Sequence, residues 1–457
     1  MTSATTPNVV VPLDTIVALA TPPGRGALAL VRMSGPRAFE IIARHIRKWP
    51  LEPREPNLCD VFEGQTKLDE ALITLFPSPH SFTGEDTVEI STHGGNLVPS
   101  SVVAALTLSG ARQAQPGEFT RRAVLNGKLD LLQAEGIGDL IDAKSQAMQR
   151  TALAQLDGGL SRRLSDLRHD LIELEALIAY DVDFPEEDDG PIPRHRIEQS
   201  AKSVVESLQA LLATAPVGEL VREGALVVIA GPPNAGKSSL FNALLGRSRS
   251  IVAEIPGTTR DAVEAVADTG KWPLRLVDTA GLRETQDQLE RLGIEVSERY
   301  LSVADLVLAC GEDLESLTRT AAAVGKRSNA PVLKVRTKAD LVSHRDQSDE
   351  GDILWVSAET GAGLTALVAR IDGAIDGSHG EIVPDLPILT RARHRKAIEA
   401  AYAEVREFTQ IWTRGELPAV VAAVHLRTAV TVLEELVGSV DIEDILDRLF
   451  SSFCVGK

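Results

Sequence analysis

One stretch of nine residues, GPPNAGKSS (231–239), limits the possible folds of this chain more than any other segment. It follows the apolar run ALVVIA (225–230), which is typical of a buried strand, and it precedes a predicted helix. A glycine-rich G-x-x-x-x-G-K-S loop between a strand and a helix binds phosphates through backbone N–H groups. Lys237 would reach the terminal phosphates and Ser238 would bind Mg²⁺. The motif predicts an α/β nucleotide-binding domain and leaves the base open.

Further apolar runs alternate with helix-like segments from residue 224 to about residue 375. Strands that alternate with helices form a mostly parallel sheet, because each helix returns the chain to the starting edge of the sheet. The runs are AVEAVAD (262–268), LRLVD (274–278), ADLVLAC (304–310), PVLKVR (331–336) and ILWVS (353–357). With ALVVIA they predict a Ras-like α/β domain.

The chain has different patterns on the two sides of this domain. In residues 13–125, glycine and proline separate short β-like runs, which is typical of a compact α+β domain. The runs are TIVALA (15–20), GALALVRMSG (26–35), ALITLF (71–76) and TVEISTHGG (87–95). Long helices follow from about residue 128, and one carries apolar residues at spacings of three and four: Leu160, Leu164, Leu167, Leu171, Leu174 and Ile178. Helix-like sequence returns after about residue 388. The predicted multidomain fold has an α+β N-terminal domain (1–125), an all-α helical domain in two parts (126–220 and 379–457), and the α/β P-loop domain (221–378) inserted between them.

Composition limits which nucleic acids, metals or membranes the chain is expected to bind. The net charge of −18, from 47 Lys and Arg against 65 Asp and Glu, argues against a protein covered with nucleic-acid contacts. The basic segment TRARHRK (390–396) is a local exception, either a nucleic-acid patch or a solvated helix face. Three cysteines in 457 residues suit neither a disulfide framework nor a zinc site. Since the apolar runs are short and the N-terminus lacks a signal-peptide pattern, we expect no membrane association and a cytoplasmic location.

Two motifs downstream of the phosphate loop predict how Mg²⁺ and the terminal phosphate are bound. GTTRD (257–261) places Thr259 where it would complete the Mg²⁺ shell. DTAGL (278–282) ends the third predicted strand of this domain. There Asp278 would be the water-mediated Mg²⁺ carboxylate, and the Gly281 N–H would contact the γ-phosphate.

Two later motifs predict the base. In TKAD (337–340), the Asp340 carboxylate can accept two hydrogen bonds from guanine N1–H and its 2-amino group, a pair that adenine does not offer. SAETG (357–361) would bring its backbone to the guanine oxygen. The nucleotide is therefore predicted to be GTP. The predicted GTP-binding residues are Asn234, Ala235, Gly236, Lys237, Ser238, Ser239, Thr258, Thr259, Asp278, Gly281, Thr337, Lys338, Asp340, Ser357, Ala358 and Glu359.

The glutamine that orients the attacking water in Ras-like enzymes is replaced. Its position after the D-x-x-G motif holds Leu282, whose side chain cannot hydrogen-bond. Asn234, inside the phosphate loop, offers an amide oxygen near the developing phosphate charge. With carbonyls that precede Gly257, it could hold a monovalent cation in place of an arginine finger. Simple packing of the loop is the alternative role of Asn234, and Arg260 and Arg283 are alternative fingers.

Longer segments carry a more specific resemblance. They are DTIVALATPPGRGALALVRMSG, SFTGEDTVEISTHGG, PGEFTRRAVLNGKLDLLQAEGIGDLIDA, GPPNAGKSSLFNALLGR, IPGTTRD, DTAGLRE and the terminal FSSFCVGK. Through them the chain resembles the tRNA modification GTPase family MnmE, also called TrmE. The resemblance implies a cytoplasmic homodimer, formed through the N-terminal domain, that works with an FAD-dependent partner protein in a heterotetramer. Together they would install a 5-carboxymethylaminomethyl or aminomethyl group on the wobble uridine of certain tRNAs. The one-carbon unit would come from 5-formyl- or methylene-tetrahydrofolate held by the N-terminal domain.

The resemblance also implies roles for individual residues. The GTPase domains would meet across the dimer, with K⁺ in place of an arginine finger. The implied K⁺ ligands are Asn234, Thr258 and the carbonyls of Ala253 and Ile255, and the implied Mg²⁺ ligands are Ser238 and Thr259. Glu290 would be the catalytic carboxylate, which orients the attacking water through a second water. The implied folate-binding residues are Arg32, Glu89, Lys128 and Lys457.

The ending SSFCVGK (451–457) is unusual after a predicted amphipathic helix. Prenylation of Cys454 would require aliphatic residues and a different terminus, and Gly456 and Lys457 do not fit. A frayed tail and a tail bound elsewhere in the protein remain, and the resemblance favours the second, at the folate site. Cys454 suits either a nucleophile or a small buried apolar side chain.

Thr337 departs from the family pattern, which has asparagine at this position. Its shorter side chain predicts a weaker tether between the base and the phosphate loop, while Lys338 and Asp340 preserve the preference for guanine. Glu359 stands where the family often has a basic residue, and the backbone is expected to make the contact there. Two other functions are alternatives: a ribosome-assembly GTPase that binds rRNA, and a folate-dependent one-carbon transferase with a regulatory GTPase domain.

Overall fold

The computed structural model describes residues 14–183, 193–247, 263–278, 298–342, 352–383, 386–415, 418–438, 453 and 456. The chain divides into two compact units. The first is Met1–Gly138 with Glu434–Lys457, and the second is Asp139–Leu433. Each unit has a six-stranded sheet.

The sheet of the first unit is mainly antiparallel. Its strands are β1 (Ile16–Leu19), β2 (Leu28–Ser34), β3 (Asn57–Glu63), β4 (Thr66–Phe76), β5 (Thr87–His93) and β6 (Arg112–Gln113). They lie in the order β3-β4-β5-β2-β1-β6, and the pair β1–β6 is parallel. Val31 and Met33 on β2 and Val88 on β5 are fully buried. Because side chains alternate between the faces of a strand, Arg32 and Glu89 lie on the opposite face from this core.

Helices pack on both faces of this sheet, since Phe119 joins Ala18 on the face that carries Arg32. They are α1 (Ala38–Ala43), α2 (Leu97–Leu108), α3 (Glu118–Leu125) and α4 (Leu131–Asp142), the last of which continues into the second unit. Ile41 of α1 and Leu106 of α2 join the same buried cluster as Val31. The mixture of strands and helices confirms the α+β character predicted for this part of the chain. The predicted strands correspond to β1, β2, β4 and β5, whereas β3 and β6 were not predicted.

The sheet of the second unit is mainly parallel. Its strands are β7 (Ala225–Ala230), β8 (Val263–Asp268), β9 (Pro273–Asp278), β10 (Leu306–Gly311), β11 (Val332–Arg336) and β12 (Ile353–Trp355). They lie in the order β12-β11-β10-β7-β9-β8, and the pair β8–β9 is antiparallel. Every residue of β7 is buried, as expected for a central parallel strand covered on both faces. All the strands predicted for this region are present.

The described residues of the second unit also form α-helices, of which nine have both ends defined. They are α5 (Gln146–Leu156), α6 (Gly159–Asp183), α7 (Arg194–Leu212), α8 (Ala215–Glu223), α9 (Lys237–Arg247), α10 (Leu314–Val324), α11 (Leu364–His379), α12 (Ala392–Arg414) and α13 (Ala419–Val437). The predicted apolar seam of α6 is confirmed, because all six of its residues are 2% exposed or less. The seam buries α6 along one side, which explains why a helix of 25 residues is stable here.

Helices that precede the second sheet pack against helices that follow it. Leu389 donates its backbone N–H to Thr214 Oγ1 at 3.1 Å, and Arg395 Nη1 lies 3.1 Å from Glu219 Oε2. At Gly218 a Cβ atom would lie 2.1 Å from the Leu389 carbonyl oxygen, so the close approach requires glycine. This packing is compatible with an α/β domain inserted into a helical one, and the predicted boundaries of the inserted domain stay predictions.

The basic segment at residues 390–396 is folded into the second unit. Thr390 and His394 are buried, and Arg391 Nη2 donates to Asp139 Oδ1 at 2.7 Å. Since Arg395 also pairs with an acid, part of the positive charge of this segment is neutralised within the unit. The segment is therefore neither a purely solvated helix face nor a freely exposed basic patch.

One described stretch, Arg194–Glu223, has the length and mean hydropathy of a membrane span. It comprises α7 and α8, and its apolar side chains Ile197, Val204 and Leu208 are buried in the unit. A buried core helix of this length passes the same test.

Candidate GTP-binding site

The phosphate loop connects β7 to α9 and is shaped by its glycines. A Cβ atom on Gly231 would lie 2.6 Å from the Cys310 carbonyl oxygen, so only glycine allows the loop to leave the sheet so close to β10. Asn234 and Gly236 have φ angles of 63° and 73°, in the left-handed region. Lys237 Nζ donates to the Pro232 carbonyl at 2.7 Å, which holds the ammonium group across the loop. These features confirm the predicted strand–loop–helix context and give the curvature that phosphate binding by backbone N–H groups requires.

The predicted Mg²⁺ ligand Ser238 and the predicted water-mediated carboxylate Asp278 come together beside this loop. Ser238 Oγ, in the first turn of α9, donates to Asp278 Oδ2 at 2.6 Å, although the two residues are 40 positions apart. They meet because β7 and β9 are parallel neighbours, so the residues at their carboxyl ends share one edge of the sheet. A hydroxyl and a carboxylate are the hard oxygen donors that Mg²⁺ prefers, so the described residues fit this ion.

The base-recognition segments lie after β11 and β12. Asp340 is exposed, and its Oδ1 accepts a hydrogen bond of 2.5 Å from the fully buried Ser357 Oγ. Lys338, with a φ angle of 56°, pairs its Nζ with Glu312 Oε1 at 2.5 Å. The chain then turns after β12, where Gly361 donates its N–H to the Ser357 carbonyl, so Ala358 and Glu359 lie in the turn. The carboxylate of Asp340 is thus oriented by a buried hydroxyl and still accessible to a base.

Thr337 links the base-recognition segment to the phosphate loop. Its side chain is buried, and its Oγ1 donates to the Ala235 carbonyl at 2.8 Å, with the Gly311 carbonyl at 3.3 Å. Thr337 therefore contacts the phosphate loop despite its short side chain, and the expected weaker tether between the base and the loop stays a prediction. A Cβ atom on Gly236 would lie 3.4 Å from Thr337 Cβ, an ordinary contact, so the φ angle of 73° and not lack of space favours glycine here.

Several predicted site residues lie outside the described residues: Ala253, Ile255, Thr258, Thr259, Gly281 and Glu290. The roles assigned to them stay predictions. Of the implied K⁺ ligands, Asn234 alone belongs to the described part of the chain, where it is exposed. Ser239 is exposed in the first turn of α9, beside Ser238.

The residues implied in folate binding lie in the first unit. Arg32 on β2 and Glu89 on β5 are paired in register, and Arg32 Nη2 lies 2.7 Å from Glu89 Oε1. The Arg32 guanidinium also lies 5.6 Å from the centre of the Phe82 ring. Lys128 is exposed, and its Nζ donates to the Pro79 carbonyl at 3.1 Å. The structure brings Arg32 and Glu89 into contact, and Phe82 and Pro79 come from one loop that reaches both Arg32 and Lys128.

The end of the chain contacts the same sheet. Gly456 is buried, and a Cβ atom on it would lie 2.5 Å from the Leu19 carbonyl oxygen, at the end of β1. Leu19 follows Ala18, and Ala18 is opposite Arg32 where β1 pairs with β2. Gly456 therefore lies near the strand positions that carry the Arg32–Glu89 pair. The position of Gly456 agrees with a bound tail. Cys454 and Lys457 lie outside the described residues.

A buried charge network in the first unit was not predicted. Arg122 is 1% exposed, and its guanidinium contacts the carboxylates of Asp14, Glu85 and Glu118 at 2.7, 3.2 and 3.0 Å. Burial works against the charge of this guanidinium, but the surrounding carboxylates raise its pKa, Glu85 most strongly. Burial also opposes the charge of Glu118, yet the hydrogen bond from Arg112 and further contacts lower the pKa of that carboxyl. The spacing of Glu118 and Arg122 at i and i+4 on a helix was the available sequence signal.

Comparison with known proteins covers both units. Residues 15–128 match the model of the GTP-binding protein TrmE N-terminus, and residues 131–454 match the MnmE helical domain. The tRNA modification GTPase MnmE of Methylobacterium radiotolerans is 42% identical and covers 97% of this chain and 99% of its own length. The MnmE protein of Heliobacterium modesticaldum is 40% identical and covers 97% of this chain and 99% of its own length. The MnmE protein of Aquifex aeolicus is 37% identical and covers 97% of this chain and 100% of its own length. A solved G domain of the T. maritima FeoB iron transporter covers 33% of this chain and 98% of its own length at 25% identity, with a TM-score of 0.24, too low to compare the folds.

Proposed function

The chain belongs to the MnmE family of tRNA modification GTPases and is a GTP hydrolase, and we propose that hydrolysis drives the modification of wobble uridine in tRNA. The observation that carries the proposal is the arrangement at one edge of the second sheet. There the Ser238–Asp278 contact, the Thr337–Ala235 contact and the oriented Asp340 carboxylate lie after parallel strands. Ligands of α/β sheets bind at this edge.

Each described residue has a chemical task in this proposal. The backbone of the phosphate loop and Lys237 bind the β- and γ-phosphates and neutralise the charge that develops on them. Ser238 would bind Mg²⁺ directly and Asp278 would hold it through a water, and the bound ion would withdraw charge from the phosphate oxygens. Asp340 selects guanine through its donor edge, and Ser357 keeps that carboxylate in place. Thr259, Gly281 and Glu290 complete the proposal as the second Mg²⁺ ligand, the γ-phosphate contact and the carboxylate that orients water.

We also propose that a K⁺ ion replaces the arginine finger, held by Asn234, Thr258 and the carbonyls of Ala253 and Ile255. GTP hydrolysis at equal ionic strength should then be about tenfold or more faster in KCl than in NaCl, since a finger is worth about 10³-fold or more. Asn234→Gly should reduce the K⁺ rate to the Na⁺ rate, because glycine readily adopts the φ angle of 63° but lacks the amide oxygen. Phosphate release measures both rates, and equal wild-type rates in the two salts would contradict the K⁺ site.

For the first unit we propose a folate site that contains Arg32, Glu89, Lys128 and Lys457. A carboxylate can pair with the amino and N–H edge of a pterin, and cations suit the anionic glutamate tail of folate. Such a site would supply the one-carbon unit from 5-formyl- or methylene-tetrahydrofolate. The proposal further includes a cytoplasmic homodimer that acts with an FAD-dependent partner protein, and the four predicted domain segments with their boundaries.

The function is tested by mass analysis of wobble nucleosides in tRNA from cells that lack this protein. We expect the aminomethyl-type modification of uridine to disappear and to return when the wild-type chain is expressed. Glu290→Ala should fail to restore it while the purified variant still binds 5-formyl-tetrahydrofolate, which separates a driving GTPase from a regulatory one. Unchanged wobble nucleosides in the deletion strain would disprove the proposed function.

A further inference from the structure

Thr337 occupies the junction between the two parts of the site that bind opposite ends of a nucleotide. It directly follows β11 and is 5% exposed. Its Oγ1 lies near two carbonyl oxygens, that of Ala235 at 2.8 Å and that of Gly311 at 3.3 Å. Carbonyl oxygens accept hydrogen bonds and cannot donate them. The single hydroxyl proton of Thr337 is therefore committed to the backbone of the protein.

This commitment matters because guanine has two different edges. One edge offers the donors N1–H and the 2-amino group, which suit the Asp340 carboxylate, and the other offers the acceptors N7 and O6. A side chain that reads N7 must supply a proton, and the hydroxyl of Thr337 has only one. Ser357 donates its hydroxyl hydrogen bond to Asp340, and the Lys338 ammonium pairs with Glu312. The Ser357 hydroxyl thus serves the donor edge through Asp340, and the Thr337 hydroxyl serves the protein itself.

Asparagine at the same position would behave differently. Its amide carries two N–H donors and an acceptor, so it could donate to the Ala235 carbonyl and still offer a second proton to the base. The difference between the two side chains is therefore one hydrogen bond to the acceptor edge.

We propose that Thr337 is a specificity-determining residue that holds the phosphate loop and leaves N7 of the base unread. This inference rests on the proposed GTP site. Guanine is then selected at its donor edge by Asp340, and a purine whose N7 is replaced by C–H is bound as well as guanine.

The test compares GDP with 7-deaza-GDP, in which C–H replaces N7, using calorimetric titration of the full-length chain. The wild-type protein should bind the two nucleotides within about twofold of each other. Thr337→Asn should bind GDP about three- to tenfold more tightly than 7-deaza-GDP, which is the ratio that one ordinary hydrogen bond gives. Thr337→Val should weaken the binding of both nucleotides by the same factor, because it removes only the tether to the loop.

A penalty of about fivefold or more for 7-deaza-GDP in the wild-type protein would overturn the inference, as would equal binding of both nucleotides by a folded Thr337→Asn variant. These outcomes differ from a failure of the GTP site itself, in which GDP would not bind at all. Asp340→Asn provides a positive control for base recognition, since it should exchange a preference for GDP for a preference for xanthosine diphosphate. The inference is supported if the variant changes its preference in this way and still binds nucleotides with and without N7 equally tightly.

Discussion

Ser238→Ala should lower the rate of GTP hydrolysis by about 100-fold or more, a loss similar to that caused by removing one preorganised transition-state contact. Ser238 Oγ lies 2.6 Å from Asp278 Oδ2, and alanine removes the hydroxyl that is proposed to bind Mg²⁺ beside this carboxylate. The backbone of the loop and Lys237 stay, so GDP should still bind. Single-turnover phosphate release over a series of Mg²⁺ concentrations measures the change.

Thr318→Ala is a matched control for this substitution. Thr318 is exposed on α10, and its Oγ1 donates only to the Leu314 carbonyl in the preceding turn. The control removes a hydroxyl from the same unit and should leave the hydrolysis rate within about twofold, since surface changes of this kind are nearly neutral. A Ser238→Ala protein that matches the control at every Mg²⁺ concentration would show that the hydroxyl does not bind the ion.

The strands of the second sheet were predictable because their signals are local. A buried parallel strand needs an unbroken apolar run, and ALVVIA became β7 without a shift of either end. The strands of the first sheet were less visible because one of their faces carries polar residues. On β3, buried Cys59 and Val61 alternate with exposed Leu58 and Asp60, so no apolar run marks the strand. β6 has only two residues and exists through its pairing with β1, which no local pattern reports.

The candidate site was predictable where the motif itself contains the geometry. The phosphate loop needs glycine at fixed positions, and parallel strands bring Ser238 and Asp278 together once the order of the strands is known. The contact of Thr337 with Ala235 was harder to predict, because it depends on tertiary packing between segments 102 positions apart. The network around Arg122 was hardest, since Asp14 lies 108 positions away in the sequence.

Arg122→Met should destabilise the first unit by about 3–5 kcal/mol, the usual cost of removing one partner from buried charges. Methionine fills much of the space of the arginine, but the positive charge that Asp14, Glu85 and Glu118 contact is removed. Arg112 still contacts Asp14 and Glu118, whereas Glu85 keeps the 2.8 Å hydrogen bond from Ser34 Oγ. Hydrogen exchange of residues 14–128, with the second unit as internal reference, measures the loss within the full-length chain.

Arg44→Met is the control, because it removes an equal charge from the same unit. Arg44 pairs with Glu40 on the surface and has a side chain that is 54% exposed, so its loss should cost about 1 kcal/mol or less. Equal destabilisation by the two substitutions would show that the Arg122 network contributes no more than a surface ion pair.

The acid dependence of this difference identifies its cause. Burial opposes the charge of Glu118 and of Asp14, but their arginine contacts lower both pKa values below the usual 4.5 and 3.8. A carboxyl whose pKa is lowered by folding stabilises the protein above its unfolded pKa, and this contribution is lost as the pH falls through the folded pKa. The wild-type unit should therefore lose stability below about pH 4.5. The Arg122→Met unit should lose less, because folding lowers the pKa values of its carboxyls less. The gap between the two proteins should shrink as acid is added, whereas a gap that stays constant with pH would indicate lost packing instead of lost charge pairing.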